Sequence, residues 1–303
     1  MDVSRTVRFT GARPRVSVIV PARNEARNLP HVLAALPADL HEVILVDGAS
    51  VDDTVPVARA CLPDVRVVHQ TRKGKGNAMA CGFTAATGDV LVMLDADGSA
   101  DPAEIPRFVD ALVAGADFAK GTRFADGGGS HDITRVRRWG NTFLNTLVNI
   151  MFRTRYTDLC YGYNAFWTDL LPVLDLPATE IDGLGRTDMV WGDGFEIETL
   201  INVRVAKSGA EIVEVGSVEK NRLYGESNLH AVQDGLRVLR TILAERRRAR
   251  RTVSTTRAGA TARAGTTARA GTRGRAGGTG SLSMGSAAGA DLGQKGTLKV
   301  APR

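Results

Sequence analysis

Cysteine, histidine and aromatic residues are all scarce in this chain, and no long apolar run occurs in its 303 residues. Each shortage removes a class of protein. The three cysteines, Cys61, Cys81 and Cys160, stand far apart. They offer neither the pairs of a disulfide scaffold nor the close spacing of a zinc site, and they fit a reducing, cytoplasmic setting. His31, His41, His69, His131 and His230 show no metal-ligand spacing and read as surface residues. Without about 18 consecutive apolar residues, no membrane-spanning helix is expected. No charged start followed by an apolar stretch marks a signal peptide near Met1. The globular part also lacks a basic excess. Residues 252–303 hold eight Lys/Arg against one Asp, and Arg246, Arg247, Arg248, Arg250 and Arg251 add five more charges, so the whole-chain +6 leaves 1–245 acidic. That distribution argues against a nucleic-acid groove there.

What is present is alternation. Val16–Val20, Val43–Val46, Val65–Val68 and Val90–Leu94 are short apolar runs that read as strands. Helical patterns lie between them. Leu29, Val32, Leu33 and Leu36 recur at helical spacing after Asn24 as N-cap, and Ser50-x-x-Asp53 resembles a capping box. A small-residue helix runs from Gly76 to Ala86, and Asp101-Pro102 opens a helix whose face is Ile105, Phe108, Val109 and Leu112. Buried strands separated by helices predict an α/β fold with a mostly parallel central sheet covered on both faces. Beyond Phe118, residues 133–152 read as a helix with Val136, Gly140, Phe143, Leu144, Leu147 and Met151 on one side; the stripe Phe143, Leu144, Leu147 and Met151 reads as core, with lipid contact as the alternative. Ala210–Val215 reads as a late strand. The expected organisation is a loose arm over 1–15, one domain over 16–228, a basic amphipathic helix over 229–251 and a low-complexity tail over 252–303, too poor in large apolar residues to order itself.

The strand ends carry the chemistry. The first yields Pro21-Ala22-Arg23-Asn24-Glu25, the second Asp47-Gly48-Ala49-Ser50 and the fourth Asp95-Ala96-Asp97. Open α/β sheets bind ligands at their carboxyl edge. Two carboxylates one residue apart beside a loop suit Mg²⁺ or Mn²⁺ holding a diphosphate, since such ions complete their shell with phosphate and water. Arg72-Lys73-Gly74-Lys75-Gly76-Asn77 precedes a helix, where glycines admit a ligand to the backbone and Lys73 or Lys75 opposes phosphate charge. The alternative is a basic, solvated turn.

Taken in order, Val-Ser-Val-Ile-Val-Pro-Ala-Arg-Asn-Glu, Val-Asp-Gly-Ala-Ser, Lys-Gly-Lys-Gly-Asn-Ala and Leu-Asp-Ala-Asp-Gly resemble a family 2 glycosyltransferase of the GT-A fold, most similar to the dolichol- or polyprenol-phosphate mannosyltransferase branch. The resemblance spans roughly residues 16–230. It implies an inverting transfer from a UDP- or GDP-sugar, with a divalent metal bridging the diphosphate and a polyprenyl phosphate among the candidate acceptors. By the same resemblance, Pro21, Arg23 and Glu25 contact the nucleotide, Asp47 the base or ribose, and Lys75, Ala96, Arg123 and Arg222 the nucleotide-sugar. Asp95 and Asp97 become the metal ligands, with Asp97 the closer contact. Asn164 and Asn228 stand where the family has arginine and lysine, which removes two positive charges near the acceptor or leaving group.

A hydroxyl acceptor needs a general base, whereas an acceptor phosphate is already an anion. The resemblance nominates Glu198 as that base, with Glu196 and Asp193 as rivals and a helix-surface carboxylate as the alternative reading. Arg135, Arg137 and Arg138 could meet an anionic acceptor or lie in a solvated turn. The C-terminal helix with its arginines reads either as a peripheral anchor on the inner face of a membrane or as a helix packed on its own domain. Two other functions compete with transfer: nucleotidyl transfer, which would want a glycine-rich first loop that Pro21–Glu25 lacks, and nucleotide binding without chemistry.

Overall fold

The computed structural model describes residues 13–225 and 235–248. Its centre is a seven-stranded sheet in the order β3-β2-β1-β4-β7-β5-β8. The strands are β1 (Val16–Ala22), β2 (Glu42–Asp47), β3 (Arg66–His69), β4 (Val90–Met93), β5 (Phe118–Thr122), β7 (Asn164–Trp167) and β8 (Ile212–Gly216). Six run parallel, and β7 is antiparallel to both β4 and β5. The expected α/β architecture is therefore present. β7 was not legible as a strand, because four residues between a tyrosine-rich turn and a 3₁₀ turn carry no usable period.

Alternation along β1 explains the two-sided core. Val18 and Val20 point to one face, where they meet Leu29, Phe108 and Leu112; Ile19 points to the other, with Met79, Phe166 and Ile201. Helices α1 (Leu29–Ala34), α2 (Thr54–Cys61) and α4 (Ile105–Val113) cover the first face. Helices α3 (Lys75–Ala85), α6 (Leu171–Leu174) and α7 (Ile197–Ser208) cover the second. The small residues of α3 have a steric cause: a Cβ on Gly82 would run into the side chains of Ile19 and Val46.

A third cluster lies beside the sheet. It joins Leu144 and Val148 of α5 (Arg135–Phe152) to Tyr156, Leu159, Val203 and Ile242. Ile242 belongs to α8, the helix over 235–248. A short ladder of β6 (Gly129–Ser130) with β9 (Val218–Glu219) closes the structure near α5.

Several local expectations are corrected. Asn24 does not cap α1. Its backbone is left-handed, its amide donates to Ser50 Oγ and its Oδ1 accepts from Val51, so it sews the β1 loop to the β2 loop. With Ser50 so engaged, α2 starts at Thr54, whose amide donates to Asp52 rather than to a capping-box partner. The expected core stripe of α5 is divided: Leu144 is buried, while Phe143 is exposed. The C-terminal helix, one of whose readings was a membrane anchor, turns Val238 and Ile242 into the third cluster. Its Glu245 is buried and pairs with Arg204 and Lys207. Leu229, Val232, Arg250 and Arg251, the residues 1–12 of the arm and the tail over 252–303 lie outside the described residues.

Gly82→Val should push α3 off the sheet and lower stability by about 1–3 kcal/mol. Equilibrium urea unfolding checks this, with a shifted midpoint at an unchanged slope.

Candidate active site

The loops after β1 and β4 and the glycine at the end of β2 meet as their strand order requires. The parallel neighbours β2-β1-β4 deliver Pro21–Glu25, Gly48 and Asp95–Asp97 to one edge. They line a cavity of about 1080 Å³ that continues past Lys73–Lys75, Cys160–Gly162, Glu198 and Arg222 to α5 and α8. Of the residues singled out from the sequence, Pro21, Arg23, Glu25, Lys75, Asp95, Ala96, Asp97, Arg123, Glu198 and Arg222 line it.

Asp47 does not. It is buried at the end of β2, where its Oδ1 accepts from the Ser50 amide and its Oδ2 lies 3.2 Å from His69 Nδ1. It shapes the loop instead of lining the cavity, and His69 gains a partner that spacing could not reveal.

Two cations organise the acids. Lys75 Nζ sits 2.7 Å from Asp95 Oδ1 and 2.6 Å from Glu198 Oε1. Burial alone would weaken this ammonium, yet the two carboxylates hold its pKa above the usual lysine range, so it stays charged. Arg222 donates to Asp97 Oδ2 at 3.3 Å and pairs with Glu25. The other Asp97 oxygen accepts from the Ser99 amide and hydroxyl. Glu25 is pushed above the ordinary carboxylate range by burial, which outweighs the pull of Asn28 and Arg222. Asn28, unremarked in the sequence, fixes Glu25 by donating to its carboxylate.

Among the described residues, no cluster of three or more His, Cys, Asp or Glu could hold a metal ion by itself. Asp95 and Asp97 supply only two carboxylates, both partly open to the cavity. Such a donor pair fits Mg²⁺ or Mn²⁺ that takes its remaining ligands from diphosphate and water.

Other candidates have different work. Arg123 is buried, its guanidinium committed to both oxygens of Asp158 and to Glu219. Facing a phosphate would require breaking that network. Asp193 is no base: it forms a fully buried bidentate pair with Arg72, which also donates to the carbonyls of Ala178 and Thr179. Glu196 accepts from the amides of Gly192 and Gly194. The glycines of the 72–77 turn therefore serve packing. A Cβ on Gly74 or Gly76 would collide with the Gly192–Asp193 backbone. In the sequence Arg72 looks like any member of a basic turn, because its partner lies 121 residues away.

Asn164 is buried within β7, with Oδ1 unpartnered and Nδ2 directed 3.4 Å toward the Gly162 carbonyl, and it is absent from the cavity wall. Asn228 lies outside the described residues. Arg137 reaches the cavity but pairs with Asp132 at 2.8 Å. Cys160 also lines it, yet burial, with Asp158 and Glu198 nearby, pushes its thiol up to about 12, which removes it as a nucleophile.

Comparison with known proteins identifies the family and the fold. Residues 17–172 match the glycosyl transferase family 2 domain. The undecaprenyl-phosphate mannosyltransferase of Micrococcus luteus is 35% identical over 224 residues, covering 71% of this chain and 87% of that protein. The polyprenol monophosphomannose synthase of Mycolicibacterium smegmatis is 32% identical, covering 71% and 81%. In fold, the chain superposes with TM-score 0.59 on glucosyl-3-phosphoglycerate synthase from Mycobacterium tuberculosis, solved with Mn²⁺, UDP and phosphoglyceric acid, at 22% identity over 78% of this chain and 79% of that one.

The clamp and the network give two expectations. Asp193→Ala leaves a buried arginine unpaired and should cost about 3–5 kcal/mol, with faster protease cleavage over 175–193. Asp158 is held below the usual carboxylate range because Arg123 outweighs the opposing effect of burial. Its stabilisation is thus present above the unfolded aspartate pKa near 3.9 and is lost as pH falls through its lower folded value. In Asp158→Asn, pH titration of the melting temperature should show a shallower acid limb than wild type.

Proposed function

Because this chain is a family 2 glycosyltransferase of the GT-A fold, we propose that it moves a hexose from a nucleoside diphosphate donor to the phosphate of a polyprenyl carrier, with inversion at the anomeric carbon. The observation that carries the acceptor choice is the Lys75–Glu198 contact of 2.6 Å. A carboxylate whose oxygen is held by an ammonium is poorly placed to take a proton from a hydroxyl, and an acceptor phosphate needs no base. Both curated relatives named above carry polyprenyl phosphate chemistry in their names, which supports the same reading.

In this scheme Pro21–Glu25 and Gly48 border the nucleoside end of the donor, and the diphosphate lies over Asp95 and Asp97. A Mg²⁺ or Mn²⁺ ion held by these two aspartates would neutralise charge on the diphosphate. Lys75 and Arg222 already rest on the same carboxylates, so each stands within reach of phosphate oxygens once the donor arrives, with Glu198 still holding Lys75. They stabilise the charge that builds on the departing diphosphate, the largest electrostatic demand of the reaction. An acceptor phosphate oxygen forms the new bond to the anomeric carbon while the bond to the donor's β-phosphate oxygen breaks, and the nucleoside diphosphate leaves. Glu198 acts by orienting Lys75. The apolar wall of Ile133, Val136, Leu144 and Val238 at the far end of the cavity suits the first isoprene units of the acceptor.

Two measurements test the scheme. UDP, GDP and their sugar conjugates should raise the melting temperature only with Mn²⁺ or Mg²⁺; at a hundred times its dissociation constant a ligand adds about 2.7 kcal/mol. Asp97→Ala should abolish both the shift and transfer, and normal turnover in that variant rejects the metal assignment. Glu198→Gln should lower transfer to a polyprenyl phosphate by less than the roughly 10²–10⁴-fold expected for loss of a general base, and it should leave the pH profile unchanged.

A further inference from the structure

Lys120 is a fully buried cation on β5 that takes no part in the cavity wall. Among the described residues its Nζ donates to two carbonyls, those of Gly121 and Tyr161, each at 2.7 Å, and to no carboxylate. Burial pushes this ammonium below the usual lysine range, against the attraction of Asp158, Glu198 and Glu214. A charge taken out of water without an ion partner in contact costs stability. A lysine held at that cost beside a cleft is a candidate for work other than packing.

Two observations say what that work is. The first is the neighbour across the sheet. Lys120 is paired with Asn164 in the register of β5 with β7. Phe118 and Phe166, two residues away on each strand, belong to the cluster on the α7 side, so strand alternation turns Lys120 and Asn164 to that side as well. Asn164 Oδ1 is buried without a partner, and the ammonium carries one N–H more than its two carbonyls use. Asn164 stands where the resemblance has arginine, so a cation missing from β7 is present at the adjoining position of β5. The second observation is the wall above them. Lys120 holds the Tyr161 carbonyl, and the Gly121 amide donates to the Tyr163 carbonyl at 2.9 Å, so β5 ties this segment on both sides of Gly162. Gly162 lies against the Lys75–Glu198 pair: a Cβ there would strike the Glu198 carboxylate and meet Lys75 Nζ at 3.2 Å.

We propose that Lys120 is a positioning residue for sugar transfer: it carries on β5 the positive charge that Asn164 lacks on β7, and it pins the Tyr161–Gly162 backbone against the Lys75–Glu198 pair. Lys120 itself touches neither donor nor acceptor. Its effect runs through one peptide, because a shift of Gly162 frees Glu198, and Lys75 then loses the carboxylate that orients it. An apolar side chain at 120 leaves the carbonyls of Gly121 and Tyr161 without a donor, and the wall moves as they find other partners. The effect on transfer rests on the function proposed for this chain; the charge placement does not.

A double-variant cycle of Lys120→Met and Asn164→Arg in the full chain tests this, read by melting temperature and by steady-state transfer to a polyprenyl phosphate. Lys120→Met should lower kcat by roughly 10²-fold, the order expected when reacting groups are misplaced by about 1 Å, and leave the donor KM within about twofold of wild type. Asn164→Arg alone sets a second cation directly opposite the first and should lower the melting temperature. Combining the two returns a single cation to the site, so the melting temperature should rise above that of Asn164→Arg and most of the lost kcat should return. Wild-type kcat in Lys120→Met overturns the proposal, as does a raised KM at unchanged kcat. Melting-temperature losses that simply add, or a kcat that Asn164→Arg does not recover, overturn it as well, since a residue that only fills space gives that result. Should Lys120→Met not fold, Lys120→Gln, which keeps a donor without the charge, replaces it in the cycle. If the uncharged variants fold only with Asn164→Arg present, the charge placement is upheld; if they fold in neither background, Lys120 merely fastens the fold and the proposal is overturned. The melting-temperature cycle needs no acceptor. Coupling seen there in a protein that transfers nothing to a polyprenyl phosphate keeps the charge placement and rejects the acceptor reading.

Discussion

The Lys75 ammonium is the interaction on which the rest of the site depends. Four carboxylates, from Glu25, Asp95, Asp97 and Glu198, border one cavity, and such a concentration of like charge in a partly desolvated crevice would raise their proton affinities or force the loops apart. Lys75 ties Asp95 to Glu198, and Arg222 ties Asp97 to Glu25. Each bond joins a sheet-edge loop to an element far away in sequence: α7 for the lysine, the segment after β9 for the arginine. The ion pairs therefore fix the spatial relation of five chain segments as well as balancing charge. They also hold cations where a diphosphate's charge is proposed to develop, so little reorganisation is needed when one arrives.

Backbone fit supports this arrangement. Lys75 reaches Glu198 because the 72–77 turn lies directly on the 192–194 turn, a contact so close that Gly74 and Gly76 leave no room for a side chain. Arg72 locks the two turns with a buried bidentate pair to Asp193. Gly162 has the same role on the opposite side, where a Cβ would strike the Glu198 carboxylate. A buried ion pair is poor evidence of net stability by itself, but it is effective at specifying one arrangement over others, since any alternative leaves a charge unpaired.

Much of the fold was readable because its causes are local. The runs at Val16, Val43 and Val90 are buried on both faces, so they are apolar throughout, and the helix at Ile105–Leu112 repeats its apolar residues at a spacing set by helical geometry. The Asp95-Ala96-Asp97 and Pro21–Glu25 loops followed, because a parallel strand's end fixes where its loop goes. The failures share a different cause. Arg123, given by the resemblance as a nucleotide-sugar contact, and Arg72, a member of a basic turn, have their partners 35 and 121 residues distant. Asp47 sits at the right strand end but turns to Ser50 and His69. On α5, helical period correctly revealed a helix, while the same period could not separate Leu144, which meets the core, from Phe143, which meets solvent.

Taken alone, the amino-acid order determined the alternating elements, the parallel sheet and the placement of acids at its carboxyl edge, because backbone period and strand direction act over a few residues at a time. Tertiary structure alone decided which charges face the cavity and which are fastenings elsewhere, and which apolar stripe is core and which is surface. Those outcomes depend on what each side chain meets after the chain has folded back on itself. Pairing across a hundred residues is governed by burial and by the need to neutralise charge in a low-dielectric interior, and neither leaves a pattern along the chain.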